Sequence, residues 1–263
     1  RGLEVRQVPV DASGVVKPAD VAACLDARTC AVVVMAANNE IGTIQPIAEV
    51  GALCRTHGVP LVCDAAQAVG RIPLDVSTFG ADVLVWSAHK LYGPMGIGAV
   101  WIRSGRPRVR IPAFHHGGGH ERGMRSGTLP VPLVVGFGLA CEIAGEGLET
   151  EAHRVGVLRD ELLERLRAGR PDLLVNGALA PRLPNNLNVA IPGVQADELL
   201  MACGAVALSS GSACSTDNLA PSHVLTAIGR DPALVYSSLR FGLGRSTRKE
   251  DVSRAAAAIL ALC

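Results

Sequence analysis

A chain of 263 residues can form one large domain or two modest ones around a real core. Its 25 Lys and Arg against 24 Asp and Glu leave a net charge of +1, and only 3% of it is aromatic, which argues against a basic nucleic-acid-binding face and against a base-stacking platform. At 49% hydrophobic and 19% charged it reads as globular, not disordered, and only Lys17, Lys90 and Lys249 among its basic residues are lysine.

The chain begins at Arg1, and Leu3 to Val8 already alternates apolar and polar residues with the period of a strand. The expectation is entry in mid-domain, a fragment lacking the first part of a longer protein. Residues 30–37 (CAVVVMAA), 59–63 (VPLVC), 82–86 (DVLVW) and 97–102 (IGAVWI) are short apolar runs suited to strands buried on both faces. Between the first two, Ile47, Val50, Leu53 and Cys54 have helical spacing, and strand–helix–strand predicts a parallel α/β sheet. A long helical stretch over 131–168 follows, with Leu158, Leu162, Leu163 and Leu166 on one stripe. Short strands are expected at 185–191 and 237–243, and helices at 196–203 and 222–229. A last helix is expected to begin at Thr247, with Glu250 completing a capping box. The domains read as 1–130, an incomplete α/β domain; 131–168, a helical connection; and 169–263, a smaller α+β domain.

The eight cysteines include no C-x-x-C pair, so neither zinc nor a redox dithiol is expected. Most lie among Ala, Val and Leu and read as small buried hydrophobes in a reducing, cytoplasmic setting. No stretch of 18 apolar residues occurs.

In open α/β sheets ligands bind at the carboxyl ends of the strands. Asn38-Asn39-Glu40-Ile41-Gly42 follows the first run, and its plain reading is a polar turn. Asp64 and Gln67 follow the second; Asp64 is either a helix cap or a buried carboxylate that needs a cationic partner. Ser87-Ala88-His89-Lys90 follows the third. A lysine at the end of a buried strand loses hydration, and only a primary amine forms a Schiff base; the plain alternative, a snorkelling surface lysine, is weakened by the chain's use of Arg nearly everywhere else. Ser87 and His89 suit one anion, such as a phosphate. The glycine-rich segment 117–128, with His115 and His116, does not fix ligands well enough for a metal site. Cys214 stands alone in a small, polar loop (SSGSACSTDN), unlike the other seven cysteines, and is read as an exposed, reactive thiol. Arg240 lies on a strand face opposite Leu239, Phe241 and Leu243, where it could grip a carboxylate or form a structural salt bridge.

The strings NNEIGTIQPI, DAAQAVGRIPLDV, SAHKLYGPMGIGA, HGGGHERGMRSGTLPV, SSGSACS and SSLRFGLGR, in this order, resemble the cysteine desulfurases of the class V aminotransferase superfamily, NifS- and IscS-like enzymes of pyridoxal 5'-phosphate fold type I. The resemblance implies a mainly parallel sheet with helices on both faces and a smaller α+β C-terminal domain. It implies that Lys90 carries the cofactor covalently, that Asp64 pairs with its ring nitrogen, and that Gln67 and Asn39 contact its 3-hydroxyl side. Ser87 and His89 would bind the phosphate, and Thr128 the phosphate of a neighbouring subunit in a homodimer. Arg240, with Asn39, would hold the carboxylate of L-cysteine. Cys214 would take its sulfur as a persulfide, leave alanine, and deliver the sulfur to a scaffold protein for iron–sulfur cluster assembly or another thiolation. No resident metal is implied; contact of Cys214 with a cluster would be transient. The family's Gly/Ala-Thr phosphate loop and its ring-stacking histidine are not found in this chain, which fits a fragment. The rival readings are a selenocysteine lyase, a cysteine sulfinate desulfinase or an aminotransferase of the same superfamily, and a non-catalytic sulfur-relay protein that keeps only the thiol.

Overall fold

A computed structural model describes residues 2–105, 109–204, 206–209 and 221–263. In its first half the elements are α1 (Pro18–Cys24), β1 (Val32–Met35), α2 (Ile47–Thr56), β2 (Leu61–Asp64), β3 (Val83–Ser87) and β4 (Gly98–Ile102). Then come α3 (Val131–Glu146), α4 (Leu148–Gly169), β5 (Leu174–Val175), β6 (Asn186–Ala190) and α5 (Ala196–Ala202). The chain ends with α6 (His223–Ala227), α7 (Pro232–Tyr236), β7 (Ser238–Gly242) and α8 (Lys249–Leu260). No single described helix is long and apolar enough to cross a membrane.

The chain folds as two compact units, one of Asp26–Ala36 and Ile47–Leu148, the other of Arg1–Leu25, Ala37–Pro46 and Glu149–Cys263. The first contains a four-stranded sheet in the order β1-β2-β3-β4. β1, β2 and β3 are parallel, and β4 runs antiparallel to β3 with Val85 opposite Val100. The apolar runs explain these strands: Leu61, Cys63, Val83 and Leu84 are buried. Helix α2 buries Ile47, Val50 and Cys54. Gly51 also faces inward, and a Cβ there would collide with the Gly80 carbonyl, so only glycine allows this close approach. A buried ion pair ties the sheet's amino-terminal side: Asp82 accepts from the Leu61 N–H at 2.8 Å and from Arg103 Nε at 2.6 Å. After β3, Ala88 and Leu91 of a 3₁₀ turn pack against Phe137 and Ala140 of α3.

The second unit is built on an antiparallel sheet in the order β5-β6-β7. Leu158, Leu162 and Leu166 of α4 form the expected stripe and pack with Leu187 and Val189 of β6, Leu239 and Phe241 of β7, and Val252 and Ile259 of α8. α7 starts where Asp231 accepts from the Ala233 N–H at 3.0 Å and Pro232 occupies the first turn.

Four expectations change. The alternating Leu3–Val8 stretch forms no strand, and Leu3 and Val5 are 75% and 83% exposed. β1 is not buried on both faces, for Val33 is 72% exposed. The last helix begins two residues later than expected, because Thr247 caps a turn instead, accepting from the Gly244 N–H at 2.9 Å. Asp251, not Glu250, accepts from the Arg248 N–H at 3.0 Å. Finally, the contacts divide the chain between α3 and α4 rather than around a connector at 131–168, and they place segments from 1–130 with the C-terminal residues. Hydrogen bonds distant in sequence join them: Thr43 Oγ1 donates to the Ser13 carbonyl at 2.7 Å and accepts from the Ala178 N–H at 3.0 Å.

Candidate active site

The four-stranded unit presents a group of polar side chains at one sheet edge. Asp64 ends β2 and Ser87 ends the parallel neighbour β3, with Asp64 in register with Val85. Gln67 lies in the turn after β2, and His89 and Lys90 in the 3₁₀ turn after Ser87. The left-handed Tyr92 ends that turn. Arg71 stacks on the Tyr92 ring at 4.9 Å and donates to the Lys90 carbonyl at 3.3 Å, fixing the backbone that carries the amine. Asp64 Oδ1 accepts from the Ala66 N–H at 2.9 Å, the local cap that a strand-end Asp provides. Among the described residues, no hydrogen bond or ion pair occupies the side chains of Gln67, Ser87, His89 or Lys90. Lys90 was expected to lie desolvated at the end of a strand; β3 stops at Ser87 instead, and His89 and Lys90 are exposed on the following turn. Asp64, expected deep in the sheet, is exposed as well.

A carboxylate, an amide, a hydroxyl, an imidazole and a primary amine thus share one edge with most of their bonding capacity unspent. That donor set can bind a phosphate, hold a charged ring nitrogen and form an imine. Thr128 is exposed and enters α3 from a loop closed by the Ser126 N–H on the His115 carbonyl at 3.1 Å. In that loop His120 Nδ1 accepts from the Gly127 N–H at 3.3 Å. Among the described residues no three His, Cys, Asp or Glu side chains converge as metal ligands.

Asn39 and Arg240 belong to the three-stranded unit, and there they meet. Residues 38–42 do form the expected turn, with Asn38 Oδ1 accepting from the N–H groups of Glu40 and Ile41 at 2.8 and 3.0 Å. The turn is held through its carbonyls. Arg240 Nη1 donates to Asn39 O at 3.1 Å, and Asn186 and Asn188 of β6 donate to Glu40 O at 3.2 and 3.1 Å. Arg182 Nη2 donates to Ile41 O at 2.7 Å. Behind them Asn176 donates to Asn188 Oδ1 at 2.8 Å and accepts from Arg230 Nε at 2.6 Å. Gly42 takes φ +73°, and a Cβ there would lie 2.6 Å from Asn186 Oδ1, so both the turn and its seat demand glycine. The Asn39 amide itself forms no hydrogen bond among the described residues and remains available to a ligand.

Arg240 is half-buried on β7, opposite the core face made by Leu239 and Phe241, and its backbone N–H donates to Ser209 O at 2.8 Å. Sequence reasoning found Arg240 and Asn39 but missed the seat. Its signal was present: Asn186 and Asn188 alternate on a strand whose residues are all buried. Arg182 is buried with no carboxylate in ion-pair contact among the described residues, and desolvation lowers its pKa to about 10.

Cys214 lies outside the described residues. Of the other cysteines, Cys54, Cys63 and Cys203 are buried as expected, whereas Cys30 and Cys263 are exposed. Burial pushes the Cys63 thiol up to about 12, with the Asp64 charge adding to the effect.

The sequence profile of the aminotransferase class-V family matches residues 1–255. The chain belongs to the class V aminotransferase family. Human cysteine desulfurase is 48% identical over 251 residues, which is 95% of this chain and 55% of the human protein. Cysteine desulfurase IscS of Anaeromyxobacter sp. strain Fw109-5 is 49% identical over 252 residues, 96% of this chain and 62% of that protein. A solved NifS-like protein superposes with a TM-score of 0.89 at 34% identity, covering 99% of this chain and 68% of that one. The chain therefore spans 55% and 62% of the two curated relatives' lengths. Its architecture is that of the class V enzymes of pyridoxal-phosphate fold type I, as the NifS-like superposition requires.

Proposed function

We propose that the whole protein is a pyridoxal-phosphate-dependent cysteine desulfurase that converts L-cysteine to L-alanine and passes the sulfur to Cys214. The observation that carries this reading is the unspent set Asp64, Gln67, Ser87, His89 and Lys90 at the carboxyl ends of β2 and β3. These residues fit the cofactor by the chemistry of their donors. Lys90 supplies the amine that holds it, Ser87 and His89 supply donors for its phosphate, and Gln67 an amide for its ring hydroxyl. The Asp64 carboxylate keeps a proton on the ring nitrogen by charge pairing. When bound, pyridoxal phosphate supplies the electron sink for carbanion chemistry at the substrate's α-carbon.

The chain's own residues do the rest. Arg240 grips the substrate carboxylate as a fixed fork, and the Asn39 amide adds a donor beside it. With the cofactor bound, the Lys90 amine would be the group that moves the α-proton. The Cys214 thiolate attacks the substrate sulfur: a sulfur–sulfur bond forms, the substrate's carbon–sulfur bond breaks, and the carbon takes up a proton to give alanine. L-cysteine and the thiol become L-alanine and a Cys214 persulfide, with atoms and electrons balanced.

Delivery of that sulfur to a scaffold protein for iron–sulfur assembly accords with the IscS name of the bacterial relatives. The persulfide and the free thiols suit a reducing, cytoplasmic setting. A homodimer is supported by α3, which leaves Val131, Val134, Val135, Leu139 and Ile143 exposed. The test is a cofactor absorption band in the visible region of the full-length protein, lost in Lys90→Ala, together with alanine release from cysteine that is lost in Cys214→Ser. Absence of the band from the full-length protein, or full alanine release by Cys214→Ser, would overturn the reading.

A further inference from the structure

Glu40 is 1% exposed, yet among the described residues neither of its carboxyl oxygens has a hydrogen-bond partner of ordinary geometry. Such a group costs several kcal/mol when charged and is retained only where something is gained from it. Its backbone carbonyl is held by Asn186 and Asn188, which fixes where the side chain leaves the main chain. The groups that face it are few. From α6 come the Ser222 hydroxyl, at the helix N-cap, and His223; from β7 comes Arg240. From β6 come only the uncharged Asn186 and Asn188, and the nearby Arg182 is engaged with the Ile41 carbonyl. Arg240 is also bonded to the carbonyl of Asn39, the residue preceding Glu40.

We propose that Glu40 is a positioning residue for ligand carboxylates that acts through Arg240: uncharged, it leaves the guanidinium's charge to the ligand, and ionised, it competes for that charge. The inference rests on Arg240 gripping the substrate carboxylate, as argued above. Burial favours the uncharged form, raising the pKa of Glu40 above the ordinary carboxylate range; the Ser222 hydroxyl, His223 and Arg240 oppose the shift. Affinity for a carboxylate therefore falls as pH rises through the ionisation of Glu40. One added unit charge near a partly buried guanidinium weakens binding on the order of tenfold.

The test uses the full-length, cofactor-loaded protein and L-alanine as the probe, with its dissociation constant measured calorimetrically from about pH 5.5 to 8.5. Relative to Glu40→Gln, native protein should lose affinity on the order of tenfold as pH rises through the ionisation of Glu40, and His223→Gln should keep the native slope. Glu40→Gln retaining the native slope, or His223→Gln abolishing it, overturns the inference. If Arg240→Gln binds L-alanine as tightly as native protein, the carboxylate assignment falls first and the Glu40 inference with it. If Arg240→Gln loses binding while Glu40→Gln keeps the slope, only the Glu40 inference falls. Carbon-13 titration of the native Glu40 carboxyl, assigned by its loss in Glu40→Gln, provides a second readout without activity. A carboxyl that titrates no higher than an exposed glutamate overturns the proposal.

Discussion

Replacing Gly42 with alanine should separate two contributions that act together in the turn. Gly42 has φ +73°, where an alanine costs about 1–2 kcal/mol. Its new Cβ would also lie 2.6 Å from Asn186 Oδ1 and 2.9 Å from Asn186 Cγ. Asn186 must then withdraw and loosen its 3.2 Å bond to Glu40 O and the 3.5 Å approach of Arg182 Nη2 to its own Oδ1. At about 1 kcal/mol for each, the clash adds about 2 kcal/mol to the backbone strain. Gly193 is the control, since it lies in the same unit at φ +79° and a Cβ added there would meet nothing within 4 Å, so Gly193→Ala carries the strain alone. Urea unfolding followed by far-ultraviolet circular dichroism should place Gly42→Ala about 2 kcal/mol below Gly193→Ala. Variants agreeing within about 0.5 kcal/mol would show that Asn186 does not seat the turn.

Asp82→Ala removes the acceptor of the buried Leu61 N–H and of Arg103 Nε, and should cost about 1–3 kcal/mol in the same measurement. Glu40→Gln should have a nearly pH-independent melting temperature relative to native protein at acid pH and a higher one at alkaline pH. The sign follows from the raised pKa: the protonated carboxyl's stability advantage is lost as pH rises through its folded-state value. Calorimetric scans over about pH 4 to 9 check this, and curves that stay parallel would refute it. Cys63, with its thiol pushed up to about 12, should resist iodoacetamide at about pH 8 until the protein unfolds, whereas the exposed Cys30 reacts at once; mass spectrometry after timed quenching distinguishes the two.

Apolar runs located all four strands of the parallel-rich sheet to within two residues, because burial demands continuous hydrophobicity there. The same logic placed Asp64 and Ser87 at strand ends and Arg240 on the polar face of β7. Exposure was less legible. Lys90 and Val33 are open to solvent although their neighbours are apolar, since a run's hydrophobicity does not say which residues cover it. The antiparallel sense of β4 and the docking of residues 37–46 with the C-terminal unit depend on contacts distant in sequence. Asn176, Arg182, Asn186, Asn188 and Arg230 escaped notice for the same reason: each is an ordinary polar residue until its partner across the fold is known.

The grip on residues 39–41 is made almost wholly through main-chain oxygens. Every amino acid offers that oxygen, so the scaffold specifies where this stretch sits without specifying what it displays. The half-buried side chain at position 39 can therefore be exchanged by mutation while its address is kept. A fold wired in this way can drift between chemistries one substitution at a time, with the ligand's neighbours replaced and the architecture untouched.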